Sequence, residues 1–96
     1  MDFVTVYEMR AWMPIRSCPG QYGLAAGAVA EAPSALVPDA AQYEFAVPSA
    51  RDVVVVVPLA DGGLISYRRA DGTYVHTLNT RDGFARKLNQ LGITLG

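Results

Sequence analysis

Two side chains could form a nucleophile and its base, because the 96-residue chain has one cysteine, Cys18, and one histidine, His76. An imidazole beside a thiol lowers the thiol pKa and accepts its proton, which is the chemistry of a cysteine-dependent enzyme. Asp52 or Asp61 would then orient the imidazole. Cys18 lies in a predicted loop with no helix start to activate it, and any chain with one residue of each type offers this pair. We therefore favour an inert thiol and a structural histidine.

Sites for a metal ion, a phosphate or a dinucleotide need residue types or spacings that the sequence lacks. One cysteine and one histidine are too few for a structural zinc site. Gly62-Gly63 lacks the Lys and Ser/Thr that follow in a phosphate-binding loop, and residues 20–23 lack the third glycine of a dinucleotide fingerprint. The carboxylates stand singly, mostly at predicted turns. The sequence thus predicts no cofactor, and a non-enzymatic binding protein is the expected class.

The composition is that of one globular domain, which we expect to span residues 1–96. The chain is 51% hydrophobic and 18% charged, with a net charge of −1. No apolar run approaches the ~20 residues that cross a bilayer, and no secretory signal is recognisable at the start. Because a lone thiol also suits a reducing compartment, we expect a cytoplasmic protein without a membrane partner.

A protein partner is the first hypothesis for function. Aromatic side chains often dominate protein interfaces, although those of this chain could instead fill the core of a small sheet. The candidate contacts are Glu31, Asp39, Glu44, Trp12 and Tyr43. The protein would then work by occupying another protein's surface, as an inhibitor or regulatory accessory of a bacterial or phage system. Self-association is also open, because the edges of a small sheet invite strand pairing.

Basic residues in the last third of the chain support an alternative. Before residue 64 the chain has three basic and seven acidic residues, and from there onward it has five basic and two acidic ones. Such residues with a stacking aromatic ring are typical of weak, salt-sensitive nucleic-acid binding. The candidates are Arg68, Arg69, Tyr74, Arg81, Arg86 and Lys87. Their predicted layout, an Asp-Gly hairpin between basic strands with a helix behind it, resembles the arm-type N-terminal domains of integrases, which implies entry into a DNA groove. The competing interpretation is a solvated face.

The element that organises these residues is the run of five valines from Val53 to Val57. β-Branched side chains favour a strand, and an apolar run on both faces predicts a central one. Asp71-Gly72 then predicts a hairpin with a two-residue turn. In that register Tyr67 faces His76, with Arg69 facing Tyr74 and Arg68 facing Val75.

The chain ends in a predicted amphipathic helix. Phe84, Leu88 and Leu91 share one face, Asn79 or Thr80 can cap the start, and Gly92 can end the helix in the left-handed conformation.

The first half of the chain is less regular. Residues 2–12 alternate in a way that predicts a strand ending before Pro14, residues 24–32 favour a short alanine-rich helix, and residues 42–47 predict a strand with one buried face. The expected fold class is α+β: a small, mostly antiparallel sheet of four to five strands with a C-terminal amphipathic helix packed on one face.

Overall fold

One antiparallel sheet carries helices on both faces in the computed structural model, which describes residues 2–25, 31–48 and 52–95. In chain order the elements are α1 (Phe3–Met9), β1 (Trp12–Pro14), β2 (Gln21–Leu24), α2 (Pro33–Leu36), β3 (Tyr43–Val47), β4 (Asp52–Leu59), β5 (Gly62–Arg68), β6 (Tyr74–Thr80) and α3 (Arg81–Leu91). The strand order is β1-β2-β6-β5-β4-β3, and each neighbouring pair is antiparallel. The α+β class is confirmed for this small single domain. The predicted count of four to five strands is wrong, because the described residues form six.

The valine strand β4 is buried on both faces, as predicted. Val54 and Val56 pack with α3, whereas Val55 and Val57 pack on the opposite face with residues of α1 and α2. β4 lies inside the sheet between β5 and β3, although β6 and β5 are the two middle strands.

A helix replaces the strand that was predicted for residues 2–12. The Asp2 carboxylate accepts a hydrogen bond from the Thr5 backbone N–H at 2.9 Å and so caps α1. Val6 then points into the core, and the Trp12 indole N–H donates to the Val6 carbonyl at 3.1 Å. The alternation of residues 2–12 fits a strand. Phe3 and Val6, however, stand three positions apart and so also fit one face of a helix. The Asp2 cap favours the helix over the strand, and β1 is the strand that follows α1 in this part of the chain.

The short helix predicted for residues 24–32 is wrong at its start, because Leu24 belongs to strand β2. Leu24 pairs with Trp12 of β1, and this strand pairing outweighs the weak helix preference of the alanines that follow. Residues 26–30 lie outside the described part of the chain. A helix is found further on, in α2, where Pro33 occupies the first turn and is buried together with Leu36.

The β5–β6 hairpin forms as predicted, but with a three-residue loop instead of a two-residue one. The Gly72 N–H donates to the Arg69 carbonyl at 3.0 Å, and the Arg69 N–H donates to the Thr73 carbonyl at 2.9 Å. Gly72 has a φ of 86°, and a left-handed residue at the end of the loop is typical of three-residue hairpin loops.

The longer loop shifts the pairing of β5 and β6 by one residue. Ser66, not Tyr67, stands opposite His76, and Arg68, not Arg69, stands opposite Tyr74. The predicted pairs are therefore wrong, because each β6 residue stands opposite the β5 residue that precedes its predicted partner. Since side chains alternate along a strand, the two faces of β5 are exchanged relative to those of β6.

The C-terminal helix is confirmed with its caps. The Thr80 hydroxyl accepts a hydrogen bond from the Gly83 N–H at 3.4 Å, and Gly92 ends α3 with a φ of 71°. Phe84, Leu88 and Leu91 lie against the α3 side of the sheet. The strand predicted for residues 42–47 is confirmed as β3, but its predicted buried face is buried only at Val47, with Phe45 half-buried and Tyr43 exposed.

Candidate functional site

The outer edge of β3 is the feature of the fold that most resembles a binding site. β3 stands last in the strand order and pairs with β4 alone within the described residues. Every second residue of such a strand directs its backbone N–H and C=O away from the sheet. Tyr43, Phe45 and Val47 point to the α3 side, with Tyr43 48% exposed and Val47 buried. Glu44 and Ala46 point to the other side, and both are exposed.

The opposite edge of the sheet is poorly suited to strand addition. β1 has three residues, and its last one, Pro14, has no backbone N–H to offer a partner. β3 has five residues, among which there is no proline or lysine of the kind that blocks an edge. Of the two edges, β3 is therefore the one that can accept another strand.

An apolar groove runs beside β3 on the α3 side. Its volume is 410 Å³, and its lining residues are Tyr43, Phe45, Pro58, Thr94 and Leu95. Residues after α3 form one side of the groove, because Ile93 is buried against the sheet and Leu95 is partly buried beside Phe45. Among the residues that the structure describes, no acidic or basic side chain lines it, so it suits an apolar group.

The structure brings together two of the five residues predicted to contact a protein. Tyr43 and Glu44 are adjacent on β3, and Glu44 forms an ion pair with Arg68 at 2.9 Å. Asp39 is exposed after α2, and Glu31 pairs with Arg10 at 3.0 Å, away from β3.

Trp12, the fifth residue of that set, lies in the core. Its side chain is 7% exposed and packs with residues of α1 and α2. The groove residues Phe45, Pro58 and Leu95 were not among the predicted contacts. The alternation of β3 indicated the orientation of Phe45, but no local pattern indicates that β3 is an edge strand.

The residues predicted to bind nucleic acid are divided between the two faces of the sheet. Arg68 and Tyr74 stand opposite each other on the face that α1 covers, whereas α3 carries Arg81, Arg86 and Lys87 on the reverse face. Arg86 donates to the Pro19 carbonyl at 2.8 Å, and the Lys87 amine lies 5.9 Å from the centre of the Tyr67 ring. Arg81 is exposed in the first turn of α3, and Arg69 is exposed at the hairpin end.

A buried polar chain runs through His76. The Ser66 hydroxyl lies 2.6 Å from His76 Nδ1, and His76 Nε2 bonds to the Glu31 carbonyl. Because a carbonyl only accepts, Nε2 carries the proton and Nδ1 accepts from the Ser66 hydroxyl. The Tyr74 ring stacks on the imidazole at 5.8 Å with an interplanar angle of 3°. This chain ties the segment beginning at Glu31 to the sheet.

The environment of His76 favours its neutral form. Burial lowers the pKa of His76, and this effect outweighs the opposing influence of the Glu31 carbonyl and carboxylate. The Arg10 guanidinium lowers the pKa further. Ser66 is fully buried, so its hydroxyl is not accessible to a substrate.

The proposed pairing of Cys18 with His76 is not formed. Both ring nitrogens of His76 already have partners, and the Cys18 sulfur instead lies 3.8 Å from the Ser17 hydroxyl. Within residues 2–25, 31–48 and 52–95, no three His, Cys, Asp or Glu side chains gather into a metal-binding group. None of the helices in this part of the chain has the length and apolar character needed to cross a membrane.

Comparison of the chain with protein-family models, curated proteins and solved structures finds no match. The geometry of the chain itself is thus the basis for assigning a function.

Proposed function

We propose that this chain is a small non-enzymatic binding protein, an inhibitor or regulatory accessory, that acts by occupying another protein's surface through the outer edge of β3. The observation that carries the proposal is the outer edge of β3, which has no paired strand within residues 2–25, 31–48 and 52–95, beside an apolar groove. Backbone groups at such an edge supply hydrogen bonds to an added strand, and the groove supplies apolar contact. A tyrosine that is 48% exposed at this position, Tyr43, is the residue type that most often contributes strongly to protein interfaces.

The geometry supports a protein partner better than a nucleic acid. A phosphate backbone is held by basic residues that act on one surface. Here Arg68 is engaged with Glu44, and the basic residues of α3 lie on the other side of the sheet. The β3 edge, by contrast, combines an open strand, an aromatic side chain and an apolar groove in one place.

The test is a pull-down of the tagged full chain from a native lysate, with and without nuclease. We expect a stoichiometric protein partner that survives nuclease and that Tyr43→Lys reduces by about ten-fold or more. The matched control is Met13→Lys, which places the same charge at an exposed apolar residue, 58% exposed, on the opposite edge strand β1. Capture of nucleic acid alone, or equal capture by the two variants, would contradict the proposal.

A further inference from the structure

The edge of β3 also specifies the chemistry of the segment that it would bind. Resting on the proposed function, we propose that the partner contributes an extended strand that alternates apolar and polar side chains, with a basic residue next to Glu44. The proposal follows from what each face of β3 presents to a neighbouring strand.

Side chains of an added strand alternate between the same two faces as those of β3. On the α3 side they meet Tyr43 and Phe45 at the mouth of the groove. On the other side they meet Glu44 and Ala46. The partner strand therefore needs one type of side chain toward the groove and another type toward Glu44 and Ala46.

The α3 side selects apolar residues. The groove of 410 Å³ is lined by aromatic and aliphatic groups, and the hydroxyls of Tyr43 and Thr94 are the polar groups of its lining side chains. Its volume lies in the range of roughly 300–1,000 Å³ that is typical of sites for small ligands, so a large aliphatic or aromatic side chain fits. A charged side chain placed there would lose water without gaining an ionic partner.

The other side selects a basic residue. The Glu44 side chain is 59% exposed, and one carboxylate oxygen, Oε1, accepts from Arg68 at 2.9 Å. Among the described residues its second oxygen, Oε2, accepts no side-chain hydrogen bond, so it can receive a lysine or arginine from a neighbouring strand. An acidic residue at that point would meet a like charge, which disfavours the wrong partner.

A second copy of this chain fits less well. The β3 sequence Tyr-Glu-Phe-Ala-Val contains no basic residue. In any antiparallel pairing of the residues of two β3 strands, Glu44 would lie opposite Tyr43, an apolar residue or another Glu44. Charge complementarity therefore favours a different protein.

The test uses two short synthetic peptides in which leucine alternates with threonine, the central threonine being replaced by lysine in one and by glutamate in the other. Binding to the full chain labelled with ¹⁵N is followed through the backbone amides of residues 43–47. We expect the lysine peptide to bind on the order of five-fold more tightly than the glutamate peptide. Glu44→Lys should reverse this preference, and Glu8→Lys, an exposed change on α1, should leave it unchanged. N-methylation of alternate peptide residues should abolish binding by removing strand hydrogen bonds.

The outcomes separate this inference from the proposed function. Equal binding of the two peptides, or no binding of either while the pull-down still shows a Tyr43-dependent protein partner, overturns the inference alone. Tighter binding of a peptide with the β3 sequence would make a second copy the occupant and also overturn it. Loss of both the peptide preference and the Tyr43 dependence would remove β3 as the binding site.

Discussion

Acidification should weaken the fold through His76. Burial lowers the pKa of this histidine in the folded protein, whereas in the unfolded chain it titrates near its usual value of 6.5. Below that pH the unfolded state binds more protons than the folded state, so the free energy of unfolding decreases as pH falls. The stability contribution is fully present above pH 6.5 and is lost as pH falls toward the pKa of the folded state.

The expected loss follows from this linkage. Each pH unit between the two pKa values removes about 1.4 kcal/mol, so the loss by pH 5 cannot exceed about 2 kcal/mol. On protonation Nδ1 becomes a donor, and the Ser66 hydroxyl can no longer donate to it. The groups that face the imidazole are the Glu31 carboxylate and carbonyl, the Arg10 guanidinium and the Tyr74 ring. Of these, Glu31 opposes the loss by favouring the charged imidazole.

The assay is urea unfolding between pH 7.5 and 5, followed by the fluorescence of the buried Trp12 and compared with His76→Gln. The glutamine variant should be less stable at neutral pH because it disturbs the His76 hydrogen bonds, but its stability should vary less with pH because it lacks the titrating group. Asp2 and Asp71 do not interfere. Hydrogen bonds from Thr5 and Thr73 lower their pKa values, so their contributions are present above pH 3.8 and are lost only in more acidic solution. If the free energy of unfolding of the unmodified protein and that of His76→Gln fell by the same amount between pH 7.5 and 5, this reasoning would be refuted.

Two further predictions concern the packing and capping of α3. Gly63→Ala should destabilise the protein by about 1–3 kcal/mol, because a Cβ there would lie 2.4 Å from the Phe84 ring; an unchanged urea midpoint would show that the ring moves aside freely. Thr80→Ala should cost about 1 kcal/mol by removing the hydroxyl that accepts from the Gly83 N–H, whereas Thr80→Ser should retain most of the stability. Equal loss in the serine and alanine variants would argue against the capping role.

Short sequence patterns predicted the strands and helix that depend on residues close together in the chain. The valine run and the helix caps at Thr80 and Gly92 each lie within one element and predict it correctly, and the alternation of residues 42–47 predicts the strand but not the exposure of Tyr43. Residues 2–12 fit the periodicity of a strand and that of a helix, and the Asp2 cap favours the helix. The strand order was not predictable in this way, because it depends on contacts between distant residues.

One extra loop residue accounts for the wrong pairing predicted around His76. Asp71-Gly72 is compatible with a two-residue or a three-residue loop, and the choice reverses which side chains meet across the hairpin. The predicted register paired His76 with Tyr67 and so hid its bond to Ser66. Trp12 has a residue type that is typical of protein interfaces, which is why the sequence predicts it as a contact. The burial of its side chain depends on α1 and α2, which local sequence patterns did not indicate.

The strand order also sets a sequence of folding events. Strands β3 to β6 follow one another along the chain and pair in that order, so residues 43–80 form a meander whose neighbours are close in sequence. β2 instead joins residues 21–23 to residues 77–79, which closes a long loop at a higher entropic cost. The meander should therefore form first and provide the template on which the N-terminal strands assemble. Pulsed hydrogen exchange during refolding would show this as earlier protection of the Val55 amide than of the Gly23 amide.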